Sequence, residues 1–179
     1  MMVVIAISGM PGAGTSTIAK KLAKKLKLKY FSPGEYFKSH AKEKAQIDNV
    51  LKVFESGKGK SKKFHKQIDQ MQIDLAKKGN VVVCGKLSII MLKGLADYKI
   101  WLDCSIEERA RRAAKRDKIS FQAALKKTKE RERLEVAEWK KDYGLDYRKQ
   151  KKMSEIVVDS TKLKENETLD YLLKKINTS

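Results

Sequence analysis

Apolar residues run almost without interruption from Val3 to Ile7 and stop at Gly9. A short continuous apolar run closed by glycine predicts a strand over residues 3–8, buried on both faces of a parallel sheet. The period then changes. Ile18, Ala19, Leu22, Ala23 and Leu26 recur three and four apart with lysines between them, which predicts a helix over about 16–26. Residues 29–32 predict a second short strand, and Pro33-Gly34 a turn into a helix carrying Tyr36 and Phe37. From about 40 to 78, Ile47, Val50, Leu51, Ile68, Met71 and Leu75 alternate with charge, predicting helices broken by a weakly ordered stretch over 56–63. Strands follow over 80–84, ending at Gly85, and over 99–103, ending in Asp103. A long basic helical region runs over about 106–141 with a turn near 117–120, where Ser120 reads as an N-cap restarting the helix at Phe121. A last strand over 156–159 and a closing helix over 168–176 complete the chain.

Strands alternating with helices predict an α/β fold, a doubly wound parallel sheet of five strands with helices on both faces. The 179 residues suit one domain with a real core. No internal repeat and no linker divides them, so residues 1–179 are read as a single domain.

The stretch Gly9-Met10-Pro11-Gly12-Ala13-Gly14-Thr15-Ser16 follows the first strand and opens the first helix. Its spacing, GxxxxGx[ST], in that strand-to-helix context is that of a phosphate-cradling loop. Glycines at 9, 12 and 14 allow positive φ and close approach of backbone N–H groups to an anion, and the helix start adds its dipole. Ser16 is placed to offer its hydroxyl to Mg²⁺, and Thr17 to reach the α-phosphate. A nucleoside triphosphate, ATP, is the expected ligand. One position departs from the motif: the lysine that meets the β- and γ-phosphates is replaced by Thr15. Threonine brings no charge to offset phosphoryl oxygens.

Charge changes the picture next. Lys and Arg number 41 against 22 acids, a net charge of +19. Such a surface attracts polyanions, and two readings stand: charge spread over solvated helix faces, or a patch for RNA or the ribosome. Cys84 and Cys104 show neither CxxC spacing nor a histidine cluster, so a metal site or disulfide framework has little support. A reducing, cytoplasmic setting fits them. No segment reaches the roughly 18 apolar residues of a membrane span. A monomer is expected.

Arg109, Arg112 and Arg116 share one helical face by their spacing, either as cations over the phosphates or as a solvated basic face. Arg131 is flanked by acids and reads either as a further cation or as half of an i, i+4 pair. Asp103 ends a strand at the carboxyl edge of the sheet, where it would hold a magnesium-bound water or cap the helix that follows. Asp69 reads as a contact to base or ribose, or as an exposed helical acid. Trp101 reads as core, and His40 and His65 as surface residues.

Taken in order, further segments resemble the archaeal type of cytidylate kinase, within the nucleoside monophosphate kinases. Ile5 to Lys24 looks like that family's loop and first helix, and some archaeal members carry Gly-Thr where Gly-Lys is usual. Ser32-Pro33-Gly34-Glu35-Tyr36-Phe37-Lys38 is similar to the segment lining its monophosphate site. Ile68-Asp69 through Gly85-Lys86-Leu87, Ile100 to Asp103, Glu108 to Arg116, Thr128 with Arg131-Glu132, and Tyr143-Gly144-Leu145-Asp146 match further pieces in the family's order. The resemblance implies a monophosphate-binding insert over about 32–80 and a lid over about 109–148. It implies transfer of the ATP γ-phosphoryl group to CMP, with dCMP or UMP as further acceptors. Arg109, Arg112, Arg116 and Arg131 would be catalytic, and Ser32, Gly34, Lys38, Asp69, Gly85 and Lys86 would line the acceptor site. Departures are as definite as matches: Lys38 and Lys86 stand where the family has arginine, Cys84 where it has an acid, Glu138 where the lid has arginine, and Trp139 where it has tyrosine. The alternatives these departures raise are a kinase-derived nucleotide-binding factor on RNA or the ribosome with little or no kinase activity, and a kinase for another small acceptor.

Overall fold

Every residue of strand β1 (Val4–Gly9) is buried, because both faces of the sheet are covered. The computed structural model describes residues 2–40 and 62–177, and the side chains of 37–40, 62–64 and 177 fall outside that description. Helix α1 (Thr15–Leu26), β2 (Lys29–Phe31), α2 (Pro33–His40), α3 (Lys62–Lys77) and β3 (Val81–Cys84) follow in order. Then come α4 (Ser88–Met91), β4 (Tyr98–Asp103), α5 (Ile106–Asp117), α6 (Phe121–Tyr143), a 3₁₀ turn (Tyr147–Met153), β5 (Ile156–Asp159) and α7 (Glu165–Asn177).

The five strands form one sheet in the order β2-β3-β1-β4-β5, and all four pairings are parallel. This is the doubly wound α/β arrangement expected from the alternation of periods. Alternate residues of β1, β3 and β4 feed opposite cores, whereas the edge strand β5 buries only Ile156 and Val158 and leaves Val157 exposed. Ile5, Ile7, Val82, Cys84, Ile100 and Leu102 pack with Ile18, Leu22 and Leu172 of α1 and α7. Val4, Ala6, Val81, Val83 and Trp101 pack with Ala76, Ile89, Leu92 and Tyr147 on the other face. Trp101, 1% exposed, is core, as its position in an apolar strand predicts.

The expected elements are present with shifts of one to three residues, and three differences have physical causes. Pro33-Gly34 is the first turn of α2 and not a turn ahead of it: Ser32 Oγ accepts from the Glu35 amide at 3.3 Å, and proline suits the first helical position. The long basic helical region divides where Ser120 was expected to restart it, its Oγ accepting from the Ala123 amide at 3.2 Å. Ser105, not Asp103, caps α5, accepting from the Glu108 amide. The short helix α4 and the 3₁₀ turn carry no period long enough to be read in sequence. The expectations for Ile47, Val50 and Leu51, and most of the stretch 56–63, lie outside the described residues. Among the described residues no helix is long and apolar enough to cross a membrane.

Candidate active site

β1 ends in the glycine loop at the carboxyl edge of the sheet, beside its switch in strand order. Gly12 (φ 85) and Gly14 (φ 92) adopt the left-handed conformation that favours glycine. Gly14 is the N-cap of α1, and no side chain caps that helix, so its first N–H groups point into the loop without a local acceptor. Gly9 is needed for a different reason: a Cβ there would lie 2.3 Å from the Leu102 carbonyl oxygen and 2.8 Å from Thr15 Cγ2.

The loop floors a cavity of about 1170 Å³. Gly9, Met10, Pro11, Gly12, Ala13, Gly14, Thr15, Ser16 and Thr17 all line it, as do Ser32, Gly34, Asp69, Gly85 and Lys86. Arg109, Arg112, Arg116 and Arg131 reach it from α5 and α6. The Lys38 side chain lies outside the described residues.

The arginines divide by what they touch. Arg109, 4% exposed, donates from Nε to the Cys104 carbonyl (3.0 Å), from Nη1 to Pro11 O (3.2 Å) and from Nη2 to Glu132 (2.9 Å). Arg112 donates to Ala13 O at 3.2 Å, to Ser160 O at 2.7 Å and to Glu108 at 3.1 Å. Both therefore grip main-chain carbonyls of the phosphate loop from α5. Arg116 forms a two-pronged pair with Asp117, each contact 2.7 Å, and is half exposed. Arg131 pairs with Glu135 one turn on, Nε to Oε1 at 2.8 Å. Asp103 is not among the residues lining the cavity; its Oδ2 meets Lys151 Nζ at 2.6 Å.

Ser32 caps α2 while facing the cavity. Gly85 lets that helix approach, since a Cβ there would meet Ser88 Oγ at 2.7 Å and Pro33 Cγ at 3.0 Å. Farther along, Asp69 Oδ2 accepts from the Tyr143 hydroxyl at 2.7 Å and Oδ1 accepts from Gln72 Nε2 at 3.1 Å. Gln72 Oε1 in turn accepts from Ser88 Oγ at 3.0 Å. Burial raises the Asp69 pKa above the usual carboxylate range, and the Tyr143 and Gln72 hydrogen bonds pull it back. Trp139 packs on Tyr143 with ring centroids 5.4 Å apart, and His65 lies 5.9 Å from Trp139. This end of the cavity is an aromatic wall around a carboxylate.

Under the loop, Cys84 is fully buried and its thiol is pushed up to about 11 by burial, against the neighbouring Thr15 and Ser16 hydroxyls. A neutral thiol there sets no anion against bound phosphates. Lys86 Nζ donates to Gly9 O at 3.3 Å and stands 2.9 Å from Glu135 Oε2.

The donor set for magnesium fits that ion's habits. Among the described residues there is no cluster of three His, Cys, Asp or Glu side chains that would hold a metal alone. Ser16 offers one hydroxyl at the cavity, and Mg²⁺ commonly takes one or two protein oxygens and completes its octahedron with phosphate oxygens and water.

Glu135 and Ser160 were not singled out in sequence. Ser160 Oγ contacts Ala13 O (3.3 Å) and Asp103 O (3.0 Å) from just beyond β5. Its signal was available: it follows an apolar strand at the sheet's carboxyl edge. Glu135 had none, because its meaning depends on Lys86, 49 positions away.

Residues 4–162 match the model of the cytidylate kinase-like family. A protein named cytidylate kinase from Pyrobaculum calidifontis is 36% identical over 181 residues, covering 99% of this chain and 96% of that one. Those of Pyrococcus horikoshii and Methanocaldococcus jannaschii are 41% and 37% identical, covering 80% and 89% of this chain and 72% and 89% of theirs. Among solved structures, an uncharacterized protein from Eubacterium ventriosum superposes with a TM-score of 0.73 at 17% identity, covering 99% of both chains. Shikimate kinase from Bacteroides thetaiotaomicron gives 0.64 at 15% identity, with the same coverage of both chains. At such identities the likeness is one of fold.

Proposed function

The chain belongs to the cytidylate kinase-like family, and from that premise we propose that it transfers the γ-phosphoryl group of ATP to CMP with magnesium. The observation that carries the reading is a single cavity joining two unlike ends: a glycine loop opening onto the uncapped start of α1, and an aromatic wall around Asp69. The first suits a polyphosphate and the second a base.

In this reading the amides of Gly12 and of residues 14–16 hold the donor phosphates, the Ala13 amide being spent within the loop on Met10 O at 3.0 Å. Ser16 would hold magnesium, which would supply charge to offset that developing on the phosphate oxygens. Arg109 and Arg112 hold the loop's carbonyls in place, so that its amides face inward. Arg116 and Arg131 stand at the cavity as cations for the transferred group, released from Asp117 and shared with Glu135 respectively. Phosphoryl transfer asks mainly for such positioning and charge, with little covalent chemistry from the protein. Asp69, an acceptor on both oxygens, suits the exocyclic amine of cytosine. Ser32, Gly34 and Gly85 shape the acceptor's side, and Asp103 is engaged by Lys151 at a distance from it.

A coupled assay for ADP with CMP, dCMP, UMP and AMP tests this. The expected outcome is magnesium-dependent ADP formation with CMP strongest. No ADP above background with any of the four would refute it.

A further inference from the structure

The loop after β3 runs beside the end of β1 because the two strands are parallel neighbours and their pairing continues past the last strand residue. The Gly85 amide donates to Ile7 O at 3.1 Å, and Ser8 Oγ donates to Gly85 O at 2.7 Å. The next side chain, Lys86, is thereby carried across to the phosphate loop, where Nζ donates to the carbonyl of Gly9, the loop's first residue. Positions 9 and 15 are themselves in contact, for a Cβ on Gly9 would lie 2.8 Å from Thr15 Cγ2. The Lys86 ammonium thus stands at the part of the loop against which residue 15 folds.

We propose that Lys86 supplies, from the loop after β3, the ammonium that the phosphate loop lacks at Thr15, and that it serves the donor's terminal phosphates and not the acceptor's. The inference rests on the kinase reading above and adds to it the identity of the missing cation.

The surroundings of Lys86 fit that task. Its side chain is 18% exposed and lines the cavity, so its charge is little screened but remains reachable. Its ammonium lies 4.5 Å over the Tyr147 ring, which fixes the stem. Gly9 O at 3.3 Å and Glu135 Oε2 at 2.9 Å engage two of the ammonium's three donors. One donor therefore remains for a ligand. Burial lowers the Lys86 pKa, and Glu135 draws it back up. Glu135 is shared with Arg131, so a second cation is held on the same carboxylate. The arrangement links a donor-side lysine to a lid arginine through one buried acid.

Binding of Mg·ATP and of CMP, each alone, is measured by calorimetry on the wild type and on Lys86→Met, Thr15→Lys and Lys86→Met/Thr15→Lys, with kcat on the same samples. Because Lys86→Met strands Glu135, Lys86→Met/Glu135→Gln, with both charges removed, is measured beside it. Loss of one charge-assisted phosphate contact is expected to weaken Mg·ATP binding about tenfold or more and to lower kcat by about 10²-fold. CMP affinity is expected to stay within about twofold, and Thr15→Lys to restore ATP affinity in the Lys86→Met background. Unchanged ATP affinity without Lys86, a loss confined to CMP, or no restoration by Thr15→Lys would each overturn the proposal while leaving the kinase reading intact. A wild type that ignores Mg·ATP would overturn the kinase reading itself, and the role of Lys86 with it.

Discussion

Arg109 clamps Pro11: from a helix almost a hundred residues away, its Nη1 donates to the Pro11 carbonyl at 3.2 Å while the same guanidinium holds Cys104 O and Glu132. The phosphate loop has few side chains of its own to fix it, so its shape is imposed from α5. A planar five-donor fork suits three acceptors in three directions, which lysine cannot copy.

Arg109→Ala is accordingly expected to destabilise the protein by about 3 kcal/mol, since it removes a buried cation, strips two carbonyls of their guanidinium donor and leaves Glu132 only the longer contact to Arg148 at 3.9 Å. Arg109→Lys should recover less than half of that. Urea denaturation of the three proteins reads both numbers. A midpoint unmoved by Arg109→Ala would mean that the clamp is dispensable.

Gly9→Ala should fail for a reason unrelated to φ. The added Cβ meets Leu102 O at 2.3 Å, and that carbonyl belongs to the neighbouring strand and accepts from the Met10 amide at 3.3 Å. Neither can retreat without parting β1 from β4. A loss of about 1–3 kcal/mol is expected, together with weakened ATP binding. Gly34→Ala is the internal comparison: its nearest neighbour is Ser32 Oγ at 4.0 Å, and alanine inside α2 is expected to be neutral or stabilising by up to about 1 kcal/mol. Equal losses at the two glycines would contradict the packing argument.

What could be read in advance followed periodicity and local spacing. Val3 to Ile7, the i, i+3, i+4 series from Ile18 and the cap at Ser120 each express their structure within a few residues. The phosphate loop is legible for the same reason, because its chemistry sits in eight consecutive positions. The network below it is not. Lys86 and Glu135 meet only because β3 lies beside β1 and α6 folds back over both, a relation set by sheet order. The four arginines were readable as cations facing a cavity, but nothing local says that two of them grip the loop's carbonyls. Pro33-Gly34 fits a turn and a first helical turn equally by local spacing, and the Ser32 hydroxyl that accepts from the Glu35 amide decides for the helix.

The Lys86–Glu135–Arg131 group gives stability a pH dependence. Burial raises the Glu135 pKa, but Lys86 and Arg131 outweigh it and hold the carboxyl down at about 2, below its ordinary 4.5. A depressed carboxylate contributes stability that is fully present above the unfolded value and is lost as pH falls through the folded one. Glu135→Gln should therefore be a few kcal/mol less stable than the wild type at pH 7, where it leaves two cations uncompensated. The gap should narrow as pH falls from 4.5 toward 2. Guanidinium denaturation of both proteins at pH 7 and pH 3 measures it, and a gap that widens in acid would reverse the sign assigned here.

Asp69 offers the sharpest test of base recognition, because its two oxygens already accept from Tyr143 and Gln72 and its remaining lone pairs can only accept again. Cytosine presents an amine donor on its pairing edge, whereas uracil presents a carbonyl at the same place. The carboxylate should thus favour CMP over UMP, and the mismatch with uracil leaves two acceptors facing each other in a half-buried site. Asparagine keeps the shape but can turn an N–H₂ outward. Asp69→Asn is expected to shrink the CMP:UMP ratio of kcat/KM by about tenfold or more. Acid should act in the same direction on the wild type. Burial raises the Asp69 pKa, so protonation, which converts an acceptor into a donor, sets in at a higher pH than for an exposed aspartate. The wild-type ratio should therefore fall as pH is lowered, while that of Asp69→Asn stays flat. A wild-type ratio as flat as the variant's would place base selection on the Trp139 and Tyr143 rings instead.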